Sequence, residues 1–170
     1  ESYTAFKPNK FIEATKQYSK KWSEMKENGK GLVLCGQAGA GKTIAAICMA
    51  NDLLNREVGV RFKVQQEIIY EAQADVNNRK NYLDELVYCG LLIIDDLNLQ
   101  VVNTDSAREI LFYIIDARTK LRKPIVITTN HSELAFKNAA EDANKRIFER
   151  LNNSCYVIEN NKHNYRKDNE

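Results

Sequence analysis

The sequence predicts an α/β fold in which about five short parallel strands form a central sheet covered by helices on both faces. Three observations carry this expectation. Short runs rich in Val, Ile and Leu recur along the chain, and each is separated from the next by a segment with helical spacing. Runs such as "GLVLC" and "LLIID" are apolar at successive positions instead of alternating, the pattern of a strand buried on both faces. The intervening segments are long enough for the crossovers that parallel strands require.

Taken in order, residues 8–27 carry Phe11, Ile12, Tyr18 and Trp22 at near-helical spacing among lysines and glutamates. This predicts one amphipathic lead-in helix ending before Asn28-Gly29. "GLVLC" is the first strand, followed by the helix "GKTIAAICMANDLLN" beginning at Gly41 or Lys42. "GVRFKV" is the second strand, Gln65 to about Tyr88 is mostly helical, and "LLIID" is the third strand. A helix from about Asp105 to Leu121 leads to the fourth strand, "PIVITT". Helical pieces around "SELAF" and "EDANKRIFERLNN" precede the last strand, "CYVIE", and the polar "KDNE" end is expected to fray.

With 170 residues, 44% of them hydrophobic, the chain has material for one compact core, so a single domain over 1–170 is expected. No apolar run approaches the roughly 20 residues of a membrane helix and no signal segment opens the chain, so no membrane association and a cytoplasmic location are expected. The chain opens on Glu1 and not on Met, so it is expected to be either processed or a piece of a longer protein. A net charge of +2 does not mark a nucleic-acid binder, which leaves local clusters: "KQYSKKWSEMKENGK", "RTKLRK" at 118–123 and "KHNYRK" at 162–167. Cys35, Cys48, Cys89 and Cys155 form no CxxC pair and lie in or beside apolar runs, so they read as buried small hydrophobes and not as zinc ligands.

Between the first strand and its helix lies "GQAGAGKT": Gly36, Gln37, Ala38, Gly39, Ala40, Gly41, Lys42 and Thr43, with Ile44 continuing into the helix. Strand, glycine-rich loop and helix in this order form a phosphate cradle. The glycines let backbone N–H groups come close to phosphate oxygens, and the helix adds its positive N-terminal end. Lys42 is placed to reach the β- and γ-phosphates, and the Thr43 hydroxyl is a hard oxygen ligand for Mg²⁺. ATP/ADP and Mg²⁺ are the expected cofactors.

A hydrolytic site needs further groups at the carboxyl ends of other strands. Asp95 and Asp96 close "LLIIDD"; Asp95 is expected to bind Mg²⁺, and Asp96 to orient and deprotonate the attacking water. Many ATPases of this kind carry a longer Glu where Asp96 stands. Asn130, at the end of "PIVITTN", is placed to hydrogen-bond the γ-phosphate or the water and so to sense the nucleotide; it is also a residue type that starts turns.

The succession of "GQAGAGKT", "IIDD", "ITTN", "RIFERL" and "NYR" resembles the AAA+ ATPases, and among them the bacterial and phage helicase loaders of the DnaC/DnaI type and the IstB-type transposition helpers. The resemblance runs from about Phe6 to Arg166, with Ala40 where the family pattern has Thr and Asn98 where it often has Gly. It implies a three-layer P-loop NTPase (AAA+) sandwich with strand order 5-1-4-3-2, residues 1–30 as lead-in, 31–160 as core and 161–170 as a tail carrying a second sensor. It further implies that Arg150 is an arginine finger for a neighbouring subunit's γ-phosphate, that Arg146 shares or exchanges this role, and that Arg166 folds back on its own subunit's phosphates. A head-to-tail homo-oligomer follows from a finger supplied across an interface. The helical insertion at 65–89, with Arg79 and Lys80, occupies the place such proteins use on single-stranded DNA; Arg61 and Lys63 are weaker candidates.

The function implied is an ATPase that assembles with ATP and single-stranded DNA to load a replicative DNA helicase, bound through an N-terminal domain outside these residues. Two alternatives stand beside it: an IstB-like transposition helper, and a non-catalytic nucleotide-gated scaffold or inhibitor, suggested by the short Asp96. A nucleotide kinase is disfavoured, because no arginine-rich lid is readable in the chain.

Overall fold

In the computed structural model, residues 9–98, 102, 104–134 and 144–160 are described. The elements run α1 (Lys10–Lys20), α2 (Trp22–Asn28), β1 (Gly31–Cys35), α3 (Lys42–Leu54), β2 (Val60–Val64), α4 (Gln65–Ala74), α5 (Arg79–Tyr88), β3 (Leu91–Asp95), α6 (Asp105–Lys120), β4 (Ile125–Thr129), α7 (Lys145–Ser154) and β5 (Cys155–Glu159). All strand pairs are parallel and the order is β2-β3-β4-β1-β5, the order the family resemblance implies.

Because side chains alternate along a strand, each continuous apolar run supplies two cores. Leu32 and Leu34 of β1, Leu91 and Ile93 of β3 and Val126 of β4 pack with Phe11, Trp22, Met25, Ala45, Met49 and Leu53 from α1, α2 and α3. Val33, Cys35, Leu92, Ile94, Ile125 and Ile127 point the other way, into a core closed by α4, α5, α6 and α7. Each fully buried Leu or Ile stabilises this three-layer arrangement by about 1.5–3 kcal/mol. A β1 slipped by one residue would exchange its two faces, so burial on both sides holds the register.

One segment differs from the sequence expectation. The lead-in is two helices broken at Lys21, not one: at the break Arg56 Nη1 takes the Ser19 carbonyl at 2.8 Å, an acceptor the next helical turn would otherwise use. Residues 65–88 are mostly helical, as expected, and form a helix pair. Asp75 Oδ1 accepts from the N–H groups of Asn77 (3.0 Å) and Asn78 (3.1 Å), a local turn that competes with helix. The last two residues of "SELAF" and the first three of "EDANKRIFERLNN" lie outside the described residues, as does the 161–170 tail.

"RTKLRK" is not a solvated charge run throughout. Arg118 is 0% exposed, and its guanidinium donates to the carbonyls of Leu86 (2.8 Å), Val87 (2.9 Å), Cys89 (3.1 Å) and Gly90 (3.3 Å) and to that of Pro124. It thereby satisfies the last carbonyls of α5 and joins the turn into β3 to the start of β4. The cysteines are free, and three of them are buried. Burial pushes the Cys155 thiol up to about 12.

Candidate functional site

The loop leaving β1 turns at Gly36, where an added Cβ would lie 2.5 Å from the Asn160 carbonyl oxygen; the backbone following β5 comes too close for a side chain. Gly39 and Gly41 take φ of 82° and 88°, a left-handed region that glycine enters without strain. Ala40 between them is buried in the α3-side core. Helix α3 starts at Lys42 behind Gly41, with no side-chain cap, which leaves its first backbone N–H groups for an anionic ligand.

Lys42 is 7% exposed, and its ammonium donates to Gly36 O (2.7 Å), Gln37 O (2.9 Å) and Asn130 Oδ1 (2.9 Å). Asn130, at the end of β4, passes the connection on: its Nδ2 donates to Asp96 Oδ1 at 3.1 Å. A continuous polar chain therefore joins the glycine loop, β4 and the end of β3. Asp96 is exposed and takes φ 55°, an uncommon conformation for a non-glycine residue.

The second constellation surrounds Asp95, which is 8% exposed. Its Oδ1 accepts from the hydroxyls of Thr43 (2.9 Å) and Thr128 (2.6 Å). Thr128 Oγ1 in turn accepts the Asp96 N–H at 2.8 Å, so one hydroxyl fixes both aspartates. The segment beyond β3 is pinned on both sides. Thr129 Oγ1 donates to Leu97 O at 2.7 Å, and the Gln65 side chain brackets Asn98, accepting its N–H (2.8 Å) and donating to its carbonyl (3.3 Å). An exclusively oxygen set, with Thr43 and Asp95 in contact, fits a hard cation. Among the described residues no group of three His, Cys, Asp or Glu side chains forms a metal cluster, so a Mg²⁺ held here would take its other ligands from phosphates and water. A bound Mg²⁺ would neutralise phosphate charge.

Arg150 does not join this network. It lies on α7, whose Ile147, Phe148 and Leu151 belong to the core opposite the one that packs α3. Its Nε donates to Asp116 Oδ1 on α6 at 2.6 Å. One turn earlier, the Arg146 guanidinium lies 4.0 Å from the Phe112 ring centre. Arg166 lies outside the described residues.

Of the basic residues near the insertion, Arg61 and Lys80 are exposed. Arg79 Nε donates to Ala72 O at 2.6 Å and closes the α4–α5 turn. Lys63 contacts both oxygens of Glu71 at 2.9 Å, holding that carboxyl below the usual range, and lies 5.8 Å from the Tyr82 ring centre. Sequence reasoning passed over Thr128, Thr129 and Gln65. The two threonines stood in "ITTN" directly before Asn130, and their adjacency to a strand's carboxyl end was the available signal.

A parallel sheet in this order, with a glycine-rich loop between β1 and α3 and paired aspartates at the end of β3, defines a P-loop ATP-binding domain of the AAA+ type. Residues 8–170 match the family described as IstB-like ATP binding protein, and the chain belongs to that family. Among solved structures, the DnaC helicase loader is 20% identical, with 93% of this chain and 95% of that one covered and a TM-score of 0.77. DnaI is 25% identical over 96% of this chain and 89% of that one, with a TM-score of 0.74. AMPPCP-bound DnaA from Aquifex aeolicus is 16% identical over 97% of this chain and 51% of that one, with a TM-score of 0.73. The likeness to DnaC and DnaA is one of fold. No curated protein sequence matches the chain. Among the described residues no helix is long and apolar enough to cross a membrane.

Proposed function

We propose that this chain is the ATP-hydrolysing module of a DNA replication helicase loader, assembling head to tail with ATP and single-stranded DNA to place a replicative helicase. The observation that supports it most is the chain Lys42–Asn130–Asp96, which ties the phosphate-loop lysine to the carboxylate assigned here to activate the attacking water. When Lys42 exchanges Gly36 O, Gln37 O and Asn130 for β- and γ-phosphate oxygens, Asn130 is released to hydrogen-bond the γ-phosphate or the water. Asp96 then accepts the proton of the water that attacks the γ-phosphorus, as the bond to the ADP oxygen breaks. Thr43 and Asp95 would hold Mg²⁺, which would supply charge neutralisation at the phosphates, and catalysis is positioning and electrostatics.

In this reading Arg150 completes a neighbouring subunit's site, Arg146 shares or exchanges this role, and Arg166 contacts its own subunit's phosphates. A finger of this kind is worth ~10³ to 10⁵ in rate. Arg79 and Lys80 on the α4–α5 insertion, with a lesser part for Arg61 and Lys63 on β2, supply a few charges per subunit to a DNA strand spanning several subunits.

Lys42→Ala is expected to abolish nucleotide binding, whereas Arg150→Ala keeps binding and loses turnover. Normal hydrolysis by Arg150→Ala with DNA present would show the finger assignment to be wrong. The family match favours a second reading, an IstB-like transposition helper whose ATP-bound oligomer marks target DNA. Pull-downs of the full-length protein against a replicative helicase and a transposase, each with ATP and with ADP, separate the two. Retention of neither partner rejects both.

A further inference from the structure

We propose that Asp116 is the positioning residue of Arg150, clamping its guanidinium on the α6 surface so that its terminal nitrogens are presented to a neighbouring subunit's nucleotide. This rests on the reading of Arg150 as a finger acting in trans. Asp116 and Phe112 are four residues apart on α6, as Arg150 and Arg146 are on α7, so each arginine has its own seat one helical turn from the other. The seats differ in chemistry. Arg146 lies against the face of Phe112, whereas Arg150 is held by a carboxylate.

The contact to Asp116 is made through Nε at 2.6 Å, and among the described residues the guanidinium bonds through that atom alone. A bidentate pair through the terminal nitrogens would have occupied the fork that matches a phosphate. Such a pair is discouraged by Lys120, which engages the second Asp116 oxygen at 2.6 Å. The Asp116 side chain is 13% exposed and that of Arg150 40%, so the clamp is set into the surface while the finger remains accessible. Fixing Nε removes rotamer freedom from a long side chain before a partner subunit arrives, and so lowers the ordering cost of completing the site.

The test uses the full-length protein with ATP and single-stranded DNA. Asp116→Asn should bind a fluorescent ATP analogue with wild-type affinity while kcat falls roughly ten- to a hundredfold, the loss expected when a catalytic group is displaced by about 1 Å. Turnover should return when Asp116→Asn is mixed with an Asp95→Asn/Asp96→Asn subunit, which is dead in its own site but carries an intact Arg150. Mixing with Arg150→Ala should restore nothing. A general weakening of the fold would not follow this pattern. If Asp116→Asn does not fold, Asp116→Glu decides the matter: it keeps the charge and shifts the oxygens by one methylene, and wild-type kcat in that variant overturns the proposal. Wild-type or raised kcat in Asp116→Asn, with Arg150→Ala inactive, overturns the clamp alone. Full activity of Arg150→Ala removes the finger itself.

Discussion

Replacing Thr128 by Val isolates one hydroxyl that the structure uses twice. The two side chains have nearly the same shape, and Thr128 is 1% exposed, so no cavity opens and no solvent enters. What is lost is the bond to the Asp95 carboxylate (2.6 Å) and the acceptor of the Asp96 N–H (2.8 Å). A hydrogen bond to a charged group contributes about 1.5–3 kcal/mol, and stranding a donor away from water costs about 1 kcal/mol or more. Asp95 keeps the Thr43 hydroxyl at 2.9 Å, which offsets part of the loss and places the net destabilisation at about 2–4 kcal/mol. With a urea slope of roughly 2 kcal/mol/M, the unfolding midpoint should fall by about 1–2 M. Trp22 is the single tryptophan and is buried, so its fluorescence reports the transition directly. The same variant should need more Mg²⁺ to bind ATP, because Asp95 is no longer oriented, and Thr128→Ser should recover most of both effects. A midpoint within about 0.3 M of wild type would mean that the Thr128 hydroxyl does not hold the two aspartates, since at that slope it corresponds to under about 1 kcal/mol.

Arg118→Met should destabilise the fold by about 3 kcal/mol or more, because it leaves the buried Val87 and Pro124 carbonyls without this donor; urea melts check this, and a loss below about 1 kcal/mol contradicts it. Gly36→Ala should weaken ATP binding by forcing the loop away from Asn160, and unchanged affinity in a titration would show that the loop yields at no cost. The Lys120 ammonium, with Arg150 beside it, holds the Asp116 carboxyl below its usual range. A depressed carboxylate contributes stability that is present above an unfolded value of about 3.9 and is lost as the pH falls through the lower native value. The stability gap between wild type and Asp116→Asn, followed by urea melts from neutral pH downward, should therefore narrow below about pH 4; a gap that stays constant excludes this origin.

The sheet, its parallel sense and the glycine loop were legible because each rests on local pattern. A run apolar at every position can only be buried on both faces, and glycines between a strand and a helix announce a backbone that must come close to something. The helix break at Lys21 was not legible, because apolar spacing continues across it from Tyr18 to Trp22 and Met25, and the Ser19 carbonyl there is taken by Arg56, which follows the end of α3. The break at Asp75 has a local signal, the polar stretch in which Asp75 bonds Asn77 and Asn78.

Local pattern in the sequence thus determined the strands, the phosphate loop and the strand ends carrying Asp95, Asp96 and Asn130. Tertiary structure alone decided which of those groups touch: that Asn130 bridges Lys42 to Asp96 and that Thr128 governs both aspartates. It also decided that Arg118 is a buried cation while Arg150 rests on Asp116 at a half-exposed surface. The physical reason is separation along the chain. A charged residue in a basic run looks the same whether it meets water or a set of carbonyls contributed about thirty positions earlier, and only the folded sheet brings those positions together.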